Sequence, residues 1–187
     1  MGVTDVLAGI FVGGAARRMG GAAKGLLRAP TGEAIAERLV AAFDGLGIPV
    51  VLVGDARAYV HLGREAIADE PAGTGPLGGL VAALRRAEGA RLIAVACDMP
   101  YVSRALIARL VESALDAPVV APRRDGRWEP FFARYDAARV LPIALARAAG
   151  DERSLQRLLD DAGARELPIV AREADELRDW DTPDDVR

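Results

Sequence analysis

Val6-Leu7-Ala8-Gly9-Ile10-Phe11-Val12 decides how the rest of the chain is read. Seven apolar residues without alternation describe a strand covered on both faces, since a half-exposed strand alternates polar and apolar positions. Such strands belong to parallel sheets flanked by helices, so helix and strand should alternate outward from this one. Glu33 to Leu46 indeed sets Ile35, Leu39, Val40, Phe43 and Leu46 at helical spacing, with Gly47 as a C-terminal cap. Pro49 to Val53 reads as the second strand and Ala66 to Ala68 as a short third. Leu77, Leu80, Val81 and Leu84 mark the inner face of the next helix, and Leu92 to Cys97 forms a fourth strand. Ser103 then caps a helix that carries Leu106, Ile107, Leu110 and Val111.

After residue 115 the pattern changes. Pro118 to Pro122 and Arg127 to Tyr135 are strand-like and are joined by Arg123-Arg124-Asp125-Gly126, which predicts a hairpin or an antiparallel excursion. Asp136 to Ala149 and Glu152 to Ala162 have helical character, and Pro142 should end or kink the first of them. The expected fold is therefore three-layer α/β: a mostly parallel sheet with right-handed crossovers, helices on both faces and a small antiparallel excursion in the second half. The 187 residues, 51% apolar, suffice for one domain and not for two ordinary ones. In such open sheets ligands bind at the carboxyl ends of the strands.

Composition narrows the partners. Against 27 Asp plus Glu stand 24 Lys plus Arg, and a net charge of −3 offers no general attraction to nucleic acid or to an anionic membrane. An anionic substrate must therefore meet a local cluster of cations. The single cysteine, Cys97, rules out an intrachain disulfide and reads as a buried core thiol. The apolar run near the start is broken by Gly9, Gly13 and Gly14 and lacks a basic lead segment, so a cytoplasmic protein without a membrane span is expected.

Directly after the first strand comes Gly13-Gly14-Ala15-Ala16-Arg17-Arg18-Met19-Gly20-Gly21-Ala22-Ala23-Lys24. Its glycines let backbone amides approach phosphate oxygens, while Arg17, Arg18 and Lys24 supply the local positive charge; together they predict a polyphosphate cradle. It is not a P-loop, because Lys24 precedes Gly25 rather than Ser or Thr, and its glycine spacing is not the dinucleotide fingerprint. The fourth strand delivers Asp98 to the same edge, where a carboxylate can share Mg²⁺ with triphosphate oxygens.

These segments, GG followed by RRMGG and KGLL, then Cys97-Asp98-Met99-Pro100-Tyr101, resemble those of the molybdenum cofactor guanylyltransferases within the wider nucleoside-triphosphate transferase superfamily. The resemblance spans nearly the whole chain and is most specific over residues 11–101. It implies a nucleotide-binding part over 1–115 and an acceptor-binding and C-terminal part over 116–187. It also implies that Lys24, Arg18 and Asp98 act in catalysis and that Asp98 binds Mg²⁺. Val12, Gly13, Gly14, Lys24, Gly54, Asp69, Gly75, Gly78 and Asp98 would then contact GTP. Gly54 stands where the family often has a side-chain amide, so only its backbone can contribute.

Gly73-Thr74-Gly75-Pro76-Leu77-Gly78-Gly79 resembles the family's Gly-Pro-Leu segment, which with Asp69 would receive the guanine edge. The same glycines also suit close helix–strand packing. Near the C-terminus, Trp180-Asp181-Thr182-Pro183-Asp184 resembles a terminal motif that usually has asparagine where Asp181 stands. Asp181 is a second candidate Mg²⁺ ligand, and the segment reads equally well as a helix start. A second departure is Ala23, where the family commonly has aspartate. Arg123, Arg124, Arg127, Trp128 and Glu129 are candidates to face the acceptor, although Trp128 and Phe131 also suit core or interface; His61 reads as a surface or packing residue.

The reaction implied is transfer of GMP from GTP to the terminal phosphate of molybdopterin or its molybdenum form, with release of pyrophosphate. The further partners implied are molybdoenzymes or their chaperones. An ionised phosphate is its own nucleophile, which suits a chain with one histidine and one cysteine. The alternatives are a related transferase using CTP or another phosphorylated acceptor, and a nucleotide-binding partner protein with weak turnover.

Overall fold

The computed structural model describes residues 5–13, 23–180 and 185. Strand β1 (Val6–Phe11) is buried along its whole length, as an apolar run without alternation requires. It pairs in parallel with β2 (Val50–Val53) on one side and with β4 (Arg91–Ala96) on the other, and β2 pairs in parallel with β3 (Glu65–Ile67). Helices α1 (Ile35–Asp44), α2 (Pro76–Arg86) and α3 (Arg104–Glu112) alternate with these strands. Among the described residues, the main sheet has seven strands in the order β3-β2-β1-β4-β8-β5-β9, with β5 at Val119–Ala121, β8 at Phe132–Asp136 and β9 at Arg165–Glu166.

Local chemistry explains the boundaries. Gly47, at φ 68°, closes α1: its N–H and that of Ile48 donate to the carbonyls of Asp44 and Phe43, a Schellman pairing that absorbs the helix's last acceptors. The Ser103 hydroxyl accepts from Leu106 N at 3.2 Å and so caps α3. Two buried clusters sit on opposite faces of the sheet. One holds Ile10, Leu39, Phe43, Ile93 and Leu110; the other holds Phe11, Leu80, Leu84, Leu92 and Tyr135. Each fully buried Leu or Ile contributes about 1.5–3 kcal/mol relative to exposure.

In the second half the excursion is larger than a hairpin. Strands β6 (Arg123–Arg124) and β7 (Arg127–Trp128) do form one, around Asp125 and Gly126 at φ 51° and 76°, the twin positive angles of a tight two-residue turn. The strand expected over Arg127–Tyr135 is divided, however. Pro130 has no amide to extend a ladder, and Phe132 N donates back to the Glu129 carbonyl, so a new strand, β8 (Phe132–Asp136), starts beyond the break. It inserts antiparallel between β4 and β5 (Val119–Ala121).

Helix α4 (Ala137–Ala149) continues through Pro142, so the proline does not end it. Pro142 and the residue one turn earlier, Ala138, are both exposed, so the carbonyl deprived of a donor faces water, while Val140, Ala144 and Ala148 hold the opposite face in the core. Helix α5 (Leu155–Asp161) follows its Ser154 cap. Strand β9 (Arg165–Glu166), parallel to β5, and helix α6 (Ala171–Glu176) were not expected from the sequence. No helix among the described residues is long and apolar enough to cross a membrane.

Candidate active site

Because β1 to β4 are mutually parallel, their carboxyl ends share one edge, and the residues that follow them, Gly13, Gly54, Asp69 and Asp98, all emerge there. Lys24 returns to the same edge at the start of a short 3₁₀ turn, Lys24–Leu26. Its Nζ lies 3.0 Å from Asp98 Oδ2, with both side chains about 20% exposed. The pair sits on the rim of a cleft of about 610 Å³ that is also lined by Val12, Gly13, Asp69 and Gly75. The backbone carbonyl of Asp98 is held separately, accepting from Trp180 N at 2.9 Å.

The same cleft is lined by the start of α2. Gly75 precedes it at φ 63°, a conformation open to glycine, and Pro76 takes the first helical position, where its missing amide costs nothing. The positive end of the α2 dipole therefore faces the cleft, where Gly75, Pro76 and Gly79 line it. Asp69 is packed tightly here: a methyl on Gly79 would lie 3.1 Å from its Oδ1.

Gly54 and Gly78 stand behind these walls and do not line the cleft. A methyl on Gly54 would fall 2.7 Å from Gly13 Cα, and one on Gly78 would fall 2.4 Å from Thr74 Oγ1 and 2.6 Å from the Pro71 carbonyl. Both glycines thus serve close backbone approach. Gly14, Arg18 and Asp181 lie outside the described residues.

The floor of the cleft is apolar. Phe11, Val53, Ala96 and Phe131 form it, and the rings of Phe11 and Phe131 meet at 4.5 Å between centroids, tilted by 43°. The sequence pattern marks Phe11 only as part of a strand and suits Phe131 to core or interface. The signal for the pair lies in the register of β4, whose Ala96 N donates to the Phe131 carbonyl at 2.9 Å. Cys97 also lines the cleft but is buried; burial first, then the neighbouring Asp98 charge, pushes its thiol up to about 12.

The region proposed to face an acceptor is only partly available. The Trp128 Nε1 donates to Asp160 Oδ1 at 2.8 Å, its backbone exchanges two hydrogen bonds with the Gln156 amide, and Arg123 stacks on its ring at 3.8 Å. Trp128 and Arg123 are therefore committed to fixing the hairpin on α5. Arg124 binds Glu129 at 2.8 Å, Asp179 at 3.1 Å and the Leu177 carbonyl at 3.0 Å, tying the hairpin to the C-terminal segment. Burial raises the Glu129 carboxyl above its ordinary range despite the Arg124 charge. His61 lies 3.6 Å from Glu37, away from the cleft.

Among the described residues no group of three or more His, Cys, Asp or Glu side chains could cage a metal. Asp98 is a hard carboxylate at the rim of an open cleft. Such a donor fits a cation that completes its shell with phosphate and water oxygens, the coordination Mg²⁺ favours.

Comparison with known proteins identifies the family and the fold. Residues 8–168 match the family described as the MobA-like NTP transferase domain. A probable molybdenum cofactor guanylyltransferase of Chloroflexus aggregans is 30% identical over 198 aligned positions, spanning 100% of this chain and 95% of the relative. The molybdenum cofactor guanylyltransferase of Pseudomonas putida KT2440 is 37% identical over 157 positions, 80% of each chain. The crystal structure of molybdopterin-guanine dinucleotide biosynthesis protein A from Archaeoglobus fulgidus has the same fold, with a TM-score of 0.76 at 22% identity over 96% of this chain and 94% of that one. With a family match over residues 8–168 and relatives of 30% and 37% identity along most of their length, the chain belongs to the MobA-like NTP transferases.

Proposed function

We propose that this chain transfers GMP from GTP to the terminal phosphate of molybdopterin or its molybdenum form. One observation carries the reading: a lysine ammonium and an aspartate carboxylate 3.0 Å apart line a cleft that the positive end of α2 also lines. That combination suits a triphosphate, which needs cationic contacts along its length and a carboxylate beside it to share a cation. Support for the substrates comes from the relatives, whose names state the guanylyltransferase activity.

In the proposed reaction an oxygen of the acceptor's terminal phosphate attacks the α-phosphorus of GTP in line. A new P–O bond forms, the bond from the α-phosphorus to the bridging oxygen breaks, and pyrophosphate leaves with that electron pair. Lys24 exchanges Asp98 for a phosphate oxygen and offsets charge on the leaving group. Asp98 would hold Mg²⁺, which when bound shields the triphosphate and stabilises the departing pyrophosphate. Asp69 accepts from the N–H groups of the guanine edge, with the backbone at Gly75 alongside. No side-chain nucleophile is needed, because the attacking phosphate is already ionised, and the protein's work is positioning and electrostatics.

The test is pyrophosphate release by the purified chain with GTP, CTP or ATP, each with and without molybdopterin and Mg²⁺. Release that requires GTP, molybdopterin and Mg²⁺ together is expected. Preference for CTP would overturn the assignment of the base, and nucleotide binding without dinucleotide formation would overturn the assignment as an enzyme.

A further inference from the structure

The turn that presents Lys24 begins without a local cap. Lys24–Leu26 is a single 3₁₀ turn entered from Ala23, whose methyl cannot accept the free amides at its start. Gly25 is buried, so its N–H also has no recourse to water. Its partner comes from 34 residues downstream: the Tyr59 hydroxyl accepts from Gly25 N at 3.1 Å. Tyr59 is 1% exposed, and its oxygen lies 4.0 Å from Cys97 Sγ, next to Asp98 in the chain. There is no slack in this arrangement. A methyl on Gly25 would fall 2.9 Å from both the Tyr59 ring and its hydroxyl, and 3.1 Å from Cys97 Cβ.

We infer that Tyr59 is a positioning residue for Lys24: its hydroxyl caps the Gly25 amide, the work a side chain at Ala23 would otherwise do, and so fixes the backbone from which Lys24 reaches Asp98. Ala23 has the extended backbone of a capping residue, at φ −69° and ψ 106°, and an oxygen there would face the amide of the second residue of the turn, which is Gly25. The contact from Tyr59 thus makes the local cap dispensable in this chain. The inference rests on the reading of Lys24 as a phosphate-contacting residue. Its consequence is specific: removing one buried hydroxyl that does not line the cleft should cost activity, and restoring a cap at position 23 should recover it.

The variants are Tyr59→Phe, which keeps the ring and removes the hydroxyl, Ala23→Ser, and the two combined. Hydrogen exchange at the Gly25 amide, followed by NMR without nucleotide, reads the cap directly. Exchange about tenfold or more faster in Tyr59→Phe is expected, with protection regained in the double variant. Pyrophosphate release is then measured well below the unfolding transition. kcat/KM for GTP should fall about tenfold in Tyr59→Phe, and Ala23→Ser should raise it severalfold more in that background than in the wild type. A purely structural tyrosine would lower the unfolding temperature and leave kcat/KM of the folded enzyme and the coupling to position 23 unmoved, which overturns the inference. Unchanged Gly25 protection in Tyr59→Phe overturns it too, whatever the activity. If the wild-type chain itself releases no pyrophosphate, the functional reading fails and takes the role assigned to Lys24 with it, a result visible before any substitution is made.

Discussion

Gly54→Ala should damage both the stability of this protein and its affinity for nucleotide, and the reason is the distance between two backbones. Gly54 has φ 101°, and a methyl there would lie 2.7 Å from Gly13 Cα and 2.8 Å from Gly13 N. Ordinary contact starts near 3.4 Å, so the two strand ends must separate by about 0.7 Å. The strained angle costs about 1–3 kcal/mol and the overpacking about 1–3 kcal/mol, or roughly 3 kcal/mol together after partial relaxation. For a chain of this length that lowers the unfolding temperature by about 6–12 °C. Because the displaced partner, Gly13, lines the cleft, KM for GTP should rise about tenfold.

Gly63→Ala is the control. Gly63 also has positive φ, 61°, but a methyl there meets nothing within 4 Å, so only the angle is penalised, at about 1–2 kcal/mol, and KM should not move. Calorimetry and GTP titration of both variants decide the matter. Equal drops in unfolding temperature with unchanged GTP affinity would refute the claim that close approach, rather than backbone angle alone, requires glycine at position 54.

Asp98→Asn keeps the shape of the side chain and removes its charge; kcat for pyrophosphate release should fall about 10²- to 10³-fold, and raising Mg²⁺ should recover little of it, while circular dichroism and unfolding temperature stay near wild type. Activity within a few fold of wild type would remove the carboxylate from the reaction. Cys97 should resist alkylation at pH 8 in the native state and be labelled only as fast as the chain unfolds, because burial holds its thiol neutral up to about 12. The sign follows from linkage: the folded value lies above the ordinary thiol value of about 8.5, so the stabilisation from burying the neutral thiol is complete below that value and is lost as pH rises towards 12. Stoichiometric labelling of folded protein at pH 8 would contradict it.

The first half of the fold was legible because its strands are buried on both faces and its helices carry one apolar stripe, patterns that local sequence records directly. Phe11 and Ile10 point to opposite clusters, so β1 could not have alternated. The second half was less legible for physical reasons. Strand β9 has two residues, both exposed, and is defined by its pairing with β5 rather than by any pattern of its own. Pro142 argued for a helix end or kink, but solvent on its side of α4 can satisfy the carbonyl left without a donor, and the helix continues. Lys24 and Asp98 stand out as candidates by residue type and place after a strand, and Asp69 by resemblance; the structure brings all three to one cleft, while residues 14–22 of the glycine-rich loop lie outside the described residues. Tyr59 has no such signal. It stands in a 3₁₀ segment, Arg57–Leu62, with no periodicity, and its importance exists only through a contact with Gly25.

The antiparallel direction of β8 is what gives this edge two sides. Had β8 run parallel to β4, the residue before it would emerge at the amino edge, away from Asp98; running the other way, it sets Phe131 beside Ala96 and on the floor of the cleft. The hairpin that precedes Phe131 is carried to the same edge and locked there by Trp128 on α5 and by Arg124 on the C-terminal segment. That segment comes back in turn to donate from Trp180 N to the Asp98 carbonyl. Asp98 therefore stands between the strand ends that bear Gly13, Gly54 and Asp69 and a separately anchored group of residues from the second half. In the reaction proposed above, which joins two phosphates in line, that division would let the triphosphate approach from one side of the shared carboxylate and the attacking phosphate from the other.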